Sequence, residues 1–408
     1  MNVSFPTWIK RRLGTRKPYI LARDLKWIFE KSFRQTRRID RRVVSLAPDS
    51  SPRGFALLSY IIAPFFLKAG ESIPSTHTNY WGSLQIAKIL VELGYQVDVI
   101  DFQNQSFVPE RDYSLVIDVR HNLERLTPWL SEKCIRVMHL DTAHILFHNA
   151  AEANRLLALQ QRRGATLHPR RFEMPNLGIE HADCAITNGG EFTISTFKYS
   201  NKPIYRIPCP VMAPCSGHER KDFEAVRKNF LWFASGGMVH KGLDLVLESF
   251  AEMPEYHLTV CGPVQKEPDF EKAFHKELYE TPNISTIGWI DINSPQFVEI
   301  TNKCIGVVSV SCSEGAGIAT IICMGTGLVP IFTVEACTAA SDSVGFILED
   351  CKIDTIKHAV QKISSLPAEA WRRMSQEVSD YVKVNHTREK FADEYKRILR
   401  EIIGTYRK

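Results

Sequence analysis

The feature that most restricts the fold of this chain is a steady alternation of strand-like and helix-like segments. Residues 55–62 and 95–102 form apolar runs typical of buried strands, and residues 79–93 between them have the periodicity of an amphipathic helix that ends at Gly94. Parallel strands need crossover helices, which also cover both faces of the sheet. The alternation therefore predicts an α/β protein with doubly wound, Rossmann-like parallel sheets. Further segments of the alternation in this half are 113–119, 123–130, 134–139, 152–161, 179–183, 185–187 and 192–199.

Residues 209–222 interrupt the alternation. This stretch combines prolines, a glycine and mixed charges, which is the composition of a linker. With 408 residues the chain is long enough for two domains, each with its own core. We therefore predict one domain at 50–212, a second at 223–385, and a separate N-terminal segment at 1–45. The strands predicted for the second domain are 230–233, 256–261, 284–289, 305–310, 329–332 and 345–348.

A glycine turn in the second domain has the features of an anion site. The segment FLWFASGGMVHKGLDLVLESF, residues 230–250, places an apolar strand before Gly236 and Gly237, and Lys241 before an amphipathic helix. Backbone N–H groups and the positive end of a helix meet at such a turn, and a lysine adds a charge to the same place. A lysine there opposes the helix dipole unless an anion is bound. The pattern alone is compatible both with phosphate binding and with a solvated lysine at a helix end.

A second loop of small residues follows the strand predicted at 305–310. The segment SCSEGAGIATIICMGTGLVP, residues 311–330, places Glu314 directly before three small residues and another apolar helix. A carboxylate there can accept hydrogen bonds from sugar hydroxyls, while the loop amides meet phosphate or hydroxyl oxygens. An acidic residue also stabilises a helix N-terminus without any ligand, so this alternative stays open. Together the two loops predict one nucleotide-sugar pocket, and the donor-binding residues of this loop are Glu314, Gly315, Ala316, Gly317 and Ile318.

The two loops resemble those of a known enzyme family. A phosphate-loop Lys-Gly that precedes a Ser-x-x-Glu-Gly-x-Gly element by roughly seventy residues is similar to the C-terminal domain of GT-B glycosyltransferases, most of all the retaining enzymes of family 4. The resemblance covers residues 55–403, although only the C-terminal half carries specific motifs. The chain departs from the family at Gly236, where an arginine is usual, and at Ile322, where a second glutamate normally holds the ribose. The residues that fit the pattern are Lys241, Glu314, Gly315, Gly317 and Gly327.

The resemblance implies a fold, a reaction and a set of site residues. It implies two Rossmann-like domains that face a cleft, with a C-terminal helix near 386–404 that returns to the first domain. It also implies transfer of a sugar from a nucleotide diphosphate donor with retention of configuration. Lys241 then neutralises the leaving diphosphate, Glu314 holds the sugar, and His139 resembles the family's histidine near the donor sugar. Gly288 joins the predicted donor-binding residues. No cofactor and no metal are expected besides the donor, and the predicted catalytic residues are Lys241, Glu314 and His139.

Two further groups could complete the pocket. Glu335, in the loop after the fifth strand of the second domain, could replace the ribose contact that Ile322 cannot make, although a solvated loop acid is equally compatible. On the acceptor side, the segment MHLDTAHILFHNAAE places Asp141 and His144 at the end of a strand, where they could contact acceptor hydroxyls. The spacing of His144 and His148 would also suit a zinc site, but no HExxH motif is present. Histidines that are satisfied by local hydrogen bonds are a third interpretation.

The positive charge of the chain is concentrated at its N-terminus. The net charge is +5, but residues 1–42 hold thirteen Lys and Arg against three acidic residues, a local charge of +10. Trp8 and Trp27 are interleaved with these cations, so the segment could lie on an anionic membrane surface. A solvated tail or a helix packed on the domain is the alternative. Nucleic-acid binding is not expected, because no recognised module accompanies the charge.

The cysteines and the apolar stretches indicate in which cellular compartment the protein works. Ten cysteines occur without a CxxC pair and mostly inside apolar runs, which indicates reduced core thiols and a cytoplasmic protein, with peripheral association at the inner face of the membrane as an extension. No stretch approaches the ~20 apolar residues of a membrane-spanning helix, and no secretory leader is recognised. The sequence therefore predicts a cytoplasmic glycosyltransferase with a saccharide or lipid-linked acceptor. A catalytically weak GT-B protein that binds a nucleotide sugar or a partner is the alternative that Gly236 and Ile322 favour, and an epimerase or phosphorylase on the same fold is a third.

Overall fold

The computed structural model of the chain describes residues 41–68, 70–71, 73, 78–211, 221–337 and 344–406. The basic segment predicted at 1–42 lies outside these ranges except for its last two residues, and so does most of the predicted linker. Two sheets of mainly parallel strands organise the described residues. This arrangement confirms the predicted α/β fold class, with two Rossmann-like parallel-sheet domains.

The first sheet has seven strands in the order β1-β3-β2-β4-β5-β6-β7. Strands β2 to β7 pair in parallel, while β1 pairs antiparallel with β3 at the sheet edge. The sequence did not predict β1, because its four residues are half-buried or exposed and carry no buried-strand pattern. The strands are β1 (Val43–Leu46), β2 (Phe55–Tyr60), β3 (Gln96–Asp101), β4 (Tyr113–Asp118), β5 (Ile135–Leu140), β6 (Cys184–Thr187) and β7 (Ile204–Arg206).

Among the residues that the structure describes, four α-helices lie between successive strands of the first sheet. The helix predicted at 79–93 is present as α1, and the segment predicted at 152–161 is the middle of a longer helix, α3. Helix α3 begins after His144, whose side chain accepts a hydrogen bond from the amide of Leu146, and it ends at Gly164 in the left-handed conformation. These helices are α1 (Thr78–Glu92), α2 (Asn122–Leu126), α3 (Ile145–Arg163) and α4 (Glu191–Thr196).

The second sheet has six parallel strands in the order β10-β9-β8-β11-β12-β13. Its centre is covered on both faces, since Phe230 and Leu231, whose side chains point to opposite faces of β8, are both 0% exposed and belong to different apolar clusters. The strand predicted at 284–289 ends earlier, at Thr286. The strands are β8 (Asn229–Phe233), β9 (His257–Cys261), β10 (Ile284–Thr286), β11 (Gly306–Ser309), β12 (Val329–Phe332) and β13 (Phe346–Ile347). The helices are α5 (Phe223–Val226), α6 (Leu243–Ala251), α7 (Pro268–Ala273), α8 (His275–Tyr279), α9 (Pro295–Asn302), α10 (Ile318–Gly325), α11 (Ile353–Ser364), α12 (Ala368–Asn385) and α13 (Arg388–Tyr406).

The last helix packs into the core of the first sheet. Helix α13 buries Phe391, Tyr395 and Leu399 in the same apolar cluster as the side chains of β2, β3 and α1. The ring of Phe391 lies 5.6 Å from the ring of Trp81 in α1, in an edge-to-face arrangement. The C-terminal end of the chain therefore crosses back from the second sheet to the first. No helix within the described ranges is long and apolar enough to span a bilayer.

Helix α3 connects the two domains through charged side chains. The guanidinium of Arg155 donates two hydrogen bonds of 3.1 Å to the carbonyl oxygen of Val310, directly after β11. Arg162 forms ion pairs with Asp244 and Glu248 of α6. These contacts hold the two domains so that the loops after the carboxyl ends of their strands face each other.

Candidate active site between the two sheets

A cavity of about 250 Å³ lies between the carboxyl ends of the two sheets. Ligands of open α/β sheets bind at this edge. Loops of both domains form its wall, including Thr142 after β5, Ser235 after β8 and Ser311 after β11. The predicted site residues on the wall are Asp141, Lys241, Glu314, Gly315, Ala316, Gly317 and Ile318. Those outside it are His139, His144, Gly236, Gly237, Gly288 and Glu335.

Lys241 and Glu314 form an ion pair on the wall of the cavity. The ammonium Nζ of Lys241 contacts Oε1 of Glu314, and the two side chains are only 9% and 17% exposed. Lys241 lies in the turn before α6, whereas Glu314 lies in the loop before α10. The residues predicted separately for phosphate and for sugar contact therefore meet at one point, and the charge of the lysine is shared with a carboxylate.

Burial and pairing shift the pKa values of both groups. Burial lowers the pKa of Lys241, and the neighbouring Glu314 opposes this shift. Burial acts to raise the pKa of Glu314, but Lys241, His240 and Arg171 together outweigh it, so this pKa lies below its ordinary value. Glu314 is therefore ionised at neutral pH and can act only as a hydrogen-bond acceptor, as a contact to sugar hydroxyls requires.

The glycine turn before Lys241 already has a carboxylate partner. The amide of Gly237 donates to Oε1 of Glu267, and the amide of Met238 donates to Oε2 of the same side chain at 3.1 Å. Glu267 is itself buried, and neither Gly236 nor Gly237 lines the cavity. These amides therefore have a different partner from the predicted phosphate. Contact with a phosphate from this loop depends on the side chain of Lys241.

The loop before α10 lies on the cavity wall, as the sequence predicted. Gly315, Ala316, Gly317 and Ile318 all line the cavity. Because α10 begins at Ile318, its first amides have no acceptor within the helix, and the positive end of the helix dipole faces the cavity. The hydroxyl of Thr320 in α10 donates to Oγ of Ser309 at 2.8 Å and ties the helix to β11. A negatively charged group is therefore favoured at this end of the cavity.

Gly315 also forms a close contact between the domains. A Cβ atom at this position would lie 2.1 Å from the carbonyl oxygen of Asp141, which no side chain can accommodate. The carbonyl oxygen of Gly315 accepts a hydrogen bond of 2.8 Å from the hydroxyl of Thr193, at the start of the first domain's α4. The loop that carries Glu314 therefore fits against the first domain only because residue 315 is a glycine.

A buried histidine links the loops around the cavity. Nε2 of His148 donates to the carbonyl oxygen of Arg171 at 2.8 Å. Nδ1 is therefore an acceptor, and it lies 3.2 Å from the hydroxyl of Thr142 and 3.0 Å from that of Ser313. Burial lowers the pKa of His148 to about 4, which keeps the ring neutral at pH 7. Both ring nitrogens are thus committed, and within the described parts of the chain no group of three or more His, Cys, Asp or Glu could hold a metal ion.

Three charged residues of the first domain lie together on the cavity wall. The guanidinium of Arg120 lies 3.1 Å from Oδ1 of Asp141 and also contacts the carboxylate of Glu173. Burial acts against the charged form of Arg120, but the two carboxylates raise its pKa above the ordinary value. The sequence predicted only Asp141 of this group. Arg120 follows β4 by two residues, so its place at the carboxyl end of a predicted strand was a signal that could have found it.

Two predicted histidines lie away from the main cavity. His144 caps α3, its Nε2 is 2.9 Å from Oη of Tyr199, and it borders a smaller cavity beside Asp141. His139 is only 3% exposed, with its ring 5.5 Å from that of Tyr60 and 5.8 Å from that of Tyr395. Burial lowers the pKa of His139 to about 4. The position of His139 gives no support to the predicted contact with a donor sugar.

The remaining predicted residues lie beside the cavity. Gly288 and Glu335 do not line it, although the next residue in each case, Trp289 and Ala336, does. Ile322 lines it with a side chain that is 6% exposed, so an apolar group stands where the resemblance implies a glutamate. The structure thus offers no support for a ribose contact by Glu335. Wall residues that the sequence did not indicate include Trp289, Asp291, Glu173 and Arg171.

Comparison with solved structures identifies the fold. Sucrose-phosphate synthase from Thermosynechococcus elongatus aligns over 86% of this chain and 99% of its own, at 14% identity and a TM-score of 0.58. WaaG, a glycosyltransferase involved in lipopolysaccharide biosynthesis, aligns over 84% and 99% at 13% identity and a TM-score of 0.52. HepE from Anabaena, solved in complex with UDP and glucose, aligns over 86% and 99% at 13% identity and a TM-score of 0.51.

These likenesses show that the chain has the GT-B fold, with two parallel-sheet domains on either side of one cleft. No protein-family model and no curated protein matches the sequence. The comparisons therefore establish the architecture, and the chemistry has to be argued from the residues on the cavity wall.

Proposed function

We propose that this protein is a glycosyltransferase that moves a sugar from a nucleotide diphosphate donor to a saccharide or lipid-linked acceptor. The observation that carries the proposal is the Lys241–Glu314 pair beside the start of α10, in the cavity between two GT-B domains. A cation and a helix N-terminus suit the diphosphate of a nucleotide sugar, and an ionised carboxylate suits its hydroxyl groups. HepE, which shares the fold, was solved with UDP and glucose bound.

The donor side of the cavity supplies the charge that the reaction needs. The leaving diphosphate gains negative charge as the glycosidic bond breaks, and Lys241 and the α10 amides are the groups that would stabilise it. Lys241 is paired with Glu314, so a bound donor would share the ammonium between phosphate and carboxylate while Glu314 accepts sugar hydroxyls. These groups need no divalent ion, and we propose a metal-independent transfer with retention of configuration.

The acceptor would enter from the first domain. Asp141 lies on the first domain's part of the wall, where its carboxylate pairs with Arg120, which in turn contacts Glu173. An acceptor hydroxyl bound there would face the sugar held by Glu314 across the cavity. We assign no side chain as a nucleophile.

Binding and turnover of nucleotide sugars test this function. The full chain is titrated calorimetrically with UDP-glucose, UDP-N-acetylglucosamine, GDP-mannose and ADP-glucose, and hydrolysis of the best-bound donor is then followed. Glu314→Gln is expected to lower turnover by about 100-fold or more, because one charged contact to the reacting sugar is lost. Glu299→Gln, an exposed carboxamide replacement on α9, is the matched control and should leave turnover unchanged. Absence of both binding and turnover for every donor would refute the proposal.

A catalytically weak GT-B protein is a second candidate. Two observations favour it: Ile322 faces the cavity in place of a carboxylate, and Glu267 occupies the amides of the glycine turn. Tight donor binding without hydrolysis or transfer in the same assays would favour this candidate. Measurable turnover that depends on Glu314 would exclude it.

We also propose that the protein works in the cytoplasm and docks on the inner face of a membrane. The support is the local charge of +10 in residues 1–42 and the tryptophans among them. A lipid-linked acceptor would then be delivered beside the cleft.

A further inference from the structure

Arg171 reaches the donor side of the cavity from the opposite domain. It lies in the segment between α3 and β6 of the first domain and lines the cavity. Its aliphatic stem packs on the glycine turn of the second domain, where a Cβ atom on Gly237 would lie 2.7 Å from Cγ and 3.1 Å from Cδ of the arginine. Gly237 has a φ of +94° and no side chain, so it leaves the path of Arg171 open.

The backbone of Arg171 is held at both ends by buried groups. Its amide donates to the carboxylate of Glu152 at 3.1 and 3.0 Å, and its carbonyl accepts the 2.8 Å hydrogen bond from His148. Glu152 and His148 are 1% and 2% exposed. These bonds fix the backbone of Arg171, and the packing of its stem on Gly237 restricts the side chain, as a preorganised ligand contact requires.

The charge of Arg171 is not matched by a carboxylate of the wall. Lys241 is paired with Glu314, and Arg120 with Asp141 and Glu173. No ion pair and no side-chain hydrogen bond joins Arg171 to another residue among those that the structure describes, and its Nε is buried without a partner there. The positive charge of Arg171 nevertheless acts on Glu314 and Lys241, since it helps to lower the pKa of both. Arg171 is therefore the wall cation that remains available to an anionic ligand.

We infer that Arg171 is a donor-binding residue that contacts the diphosphate of the nucleotide sugar. It would take the role of the arginine that the related family usually has at the position of Gly236. This inference rests on the proposed function. Gly236 adjoins the residue on which the Arg171 stem packs, so a guanidinium supplied from the first domain reaches the same turn as one supplied from position 236. Arginine suits this role because its planar fork binds phosphate oxygens in pairs.

The assignment has a consequence for the two domains. Lys241 belongs to the second domain and Arg171 to the first, so a diphosphate held by both would bridge the cleft. Donor binding would thereby hold the acceptor wall, with Asp141, against the donor loops. In a protein with both cations on one domain, the donor would not form this bridge.

Calorimetric titration of the full chain with UDP, GDP and ADP tests the inference, followed by titration of the monophosphate of the nucleotide that binds best. Arg171→Ala is expected to raise the Kd of the diphosphate by about 10- to 100-fold, the typical effect of losing a charge-assisted hydrogen bond. The monophosphate should lose much less affinity, so the preference for the diphosphate falls. Arg53→Ala removes an exposed arginine from the amino end of β2, at the opposite edge of the sheet, and should change neither value.

Further variants separate ligand contact from folding. Arg171→Lys keeps the charge and the stem but loses the fork, and we expect a diphosphate Kd about threefold or more above wild type together with an unchanged melting temperature. Gly236→Arg in the Arg171→Ala background should restore part of the diphosphate preference. Unchanged diphosphate binding in Arg171→Ala would overturn the role of Arg171 and leave the proposed function standing. Failure of the wild-type chain to bind any nucleoside diphosphate would overturn both.

Discussion

Removal of Lys241 should affect stability and turnover separately, because its partner Glu314 is itself mostly shielded from solvent. In Lys241→Met the carboxylate of Glu314 keeps its charge on a wall where it is only 17% exposed. Breaking a fully buried ion pair costs about 3–5 kcal/mol. This pair borders a cavity, and His240 and Arg171 still act on Glu314, so we expect a smaller loss of about 2–3 kcal/mol. For a domain of this size, that loss corresponds to roughly a 4–12 °C fall in melting temperature.

A double-mutant cycle separates the two effects. Calorimetric melting is measured for Lys241→Met, Glu314→Gln and the double variant, with nucleotide-sugar turnover measured beside it. The double variant removes both charges, so we expect it to recover about 1 kcal/mol or more relative to the sum of the single losses. It should not recover turnover, because the cation for the diphosphate is still missing and its loss typically costs about 100- to 1,000-fold in rate.

Two results would refute this reasoning. Stability losses that add within about 0.5 kcal/mol would show that the pair is not energetically coupled. Turnover that returns in the double variant would show that Lys241 acts only by neutralising Glu314, and the diphosphate contact would then have to be assigned elsewhere.

Three further predictions follow from the same residues and from the N-terminal segment. Turnover should survive EDTA, because Lys241 and the start of α10 supply the positive charge; activity that is lost to the chelator and restored by one divalent ion would contradict this. The fold should lose stability as pH falls from about 6.5 towards about 4, because burial lowers the pKa of His139 and His148 to about 4. In the unfolded chain both histidines already take up a proton near pH 6.5, so acid favours unfolding. The melting temperature of His139→Asn should therefore fall less with pH than that of the wild type. The full chain should bind anionic vesicles at low salt and release them as salt rises, whereas a chain that begins at Arg41, which keeps β1, should stay folded and not bind; equal binding by both chains would assign the affinity elsewhere.

The elements with strong local patterns were predictable from the sequence. Strands β2 to β5 are rich in apolar residues because both faces of a parallel sheet are covered, and α1 and α13 carry the periodicity of helices with one buried face. Strand β1 has neither signal, since it is a short edge strand that pairs with β3 more than fifty residues later. Local pattern therefore gave the fold class and most of the strands, and it missed the short strands β1 and β7 at the two edges of the first sheet.

The candidate site was predictable only where a motif is contiguous. Lys241 and the loop from Glu314 to Ile318 lie on the cavity wall because a strand, a loop and a helix start follow one another in the chain. The partners of these residues come from distant positions: Glu267 takes the amides of the glycine turn, and Arg171 arrives from the other domain. Neither contact is associated with a periodicity or a spacing in the sequence that could have predicted it.

The two domains can approach closely because glycines lie at their contact. A Cβ atom on Gly315 would lie 2.1 Å from the carbonyl oxygen of Asp141, and one on Gly189 would lie 2.7 Å from the carbonyl oxygen of Gly315. Glycines on both sides of the interface therefore let the loop that carries Glu314 touch the wall that carries Asp141. Because the reacting atoms in a transfer have to approach within about 3–3.5 Å, such direct backbone contact brings Glu314 and Asp141, the residues proposed to bind the sugar and the acceptor, within reach without a large movement. The glycines of this loop, interpreted at first as room for a ligand, thus also make room for the other domain.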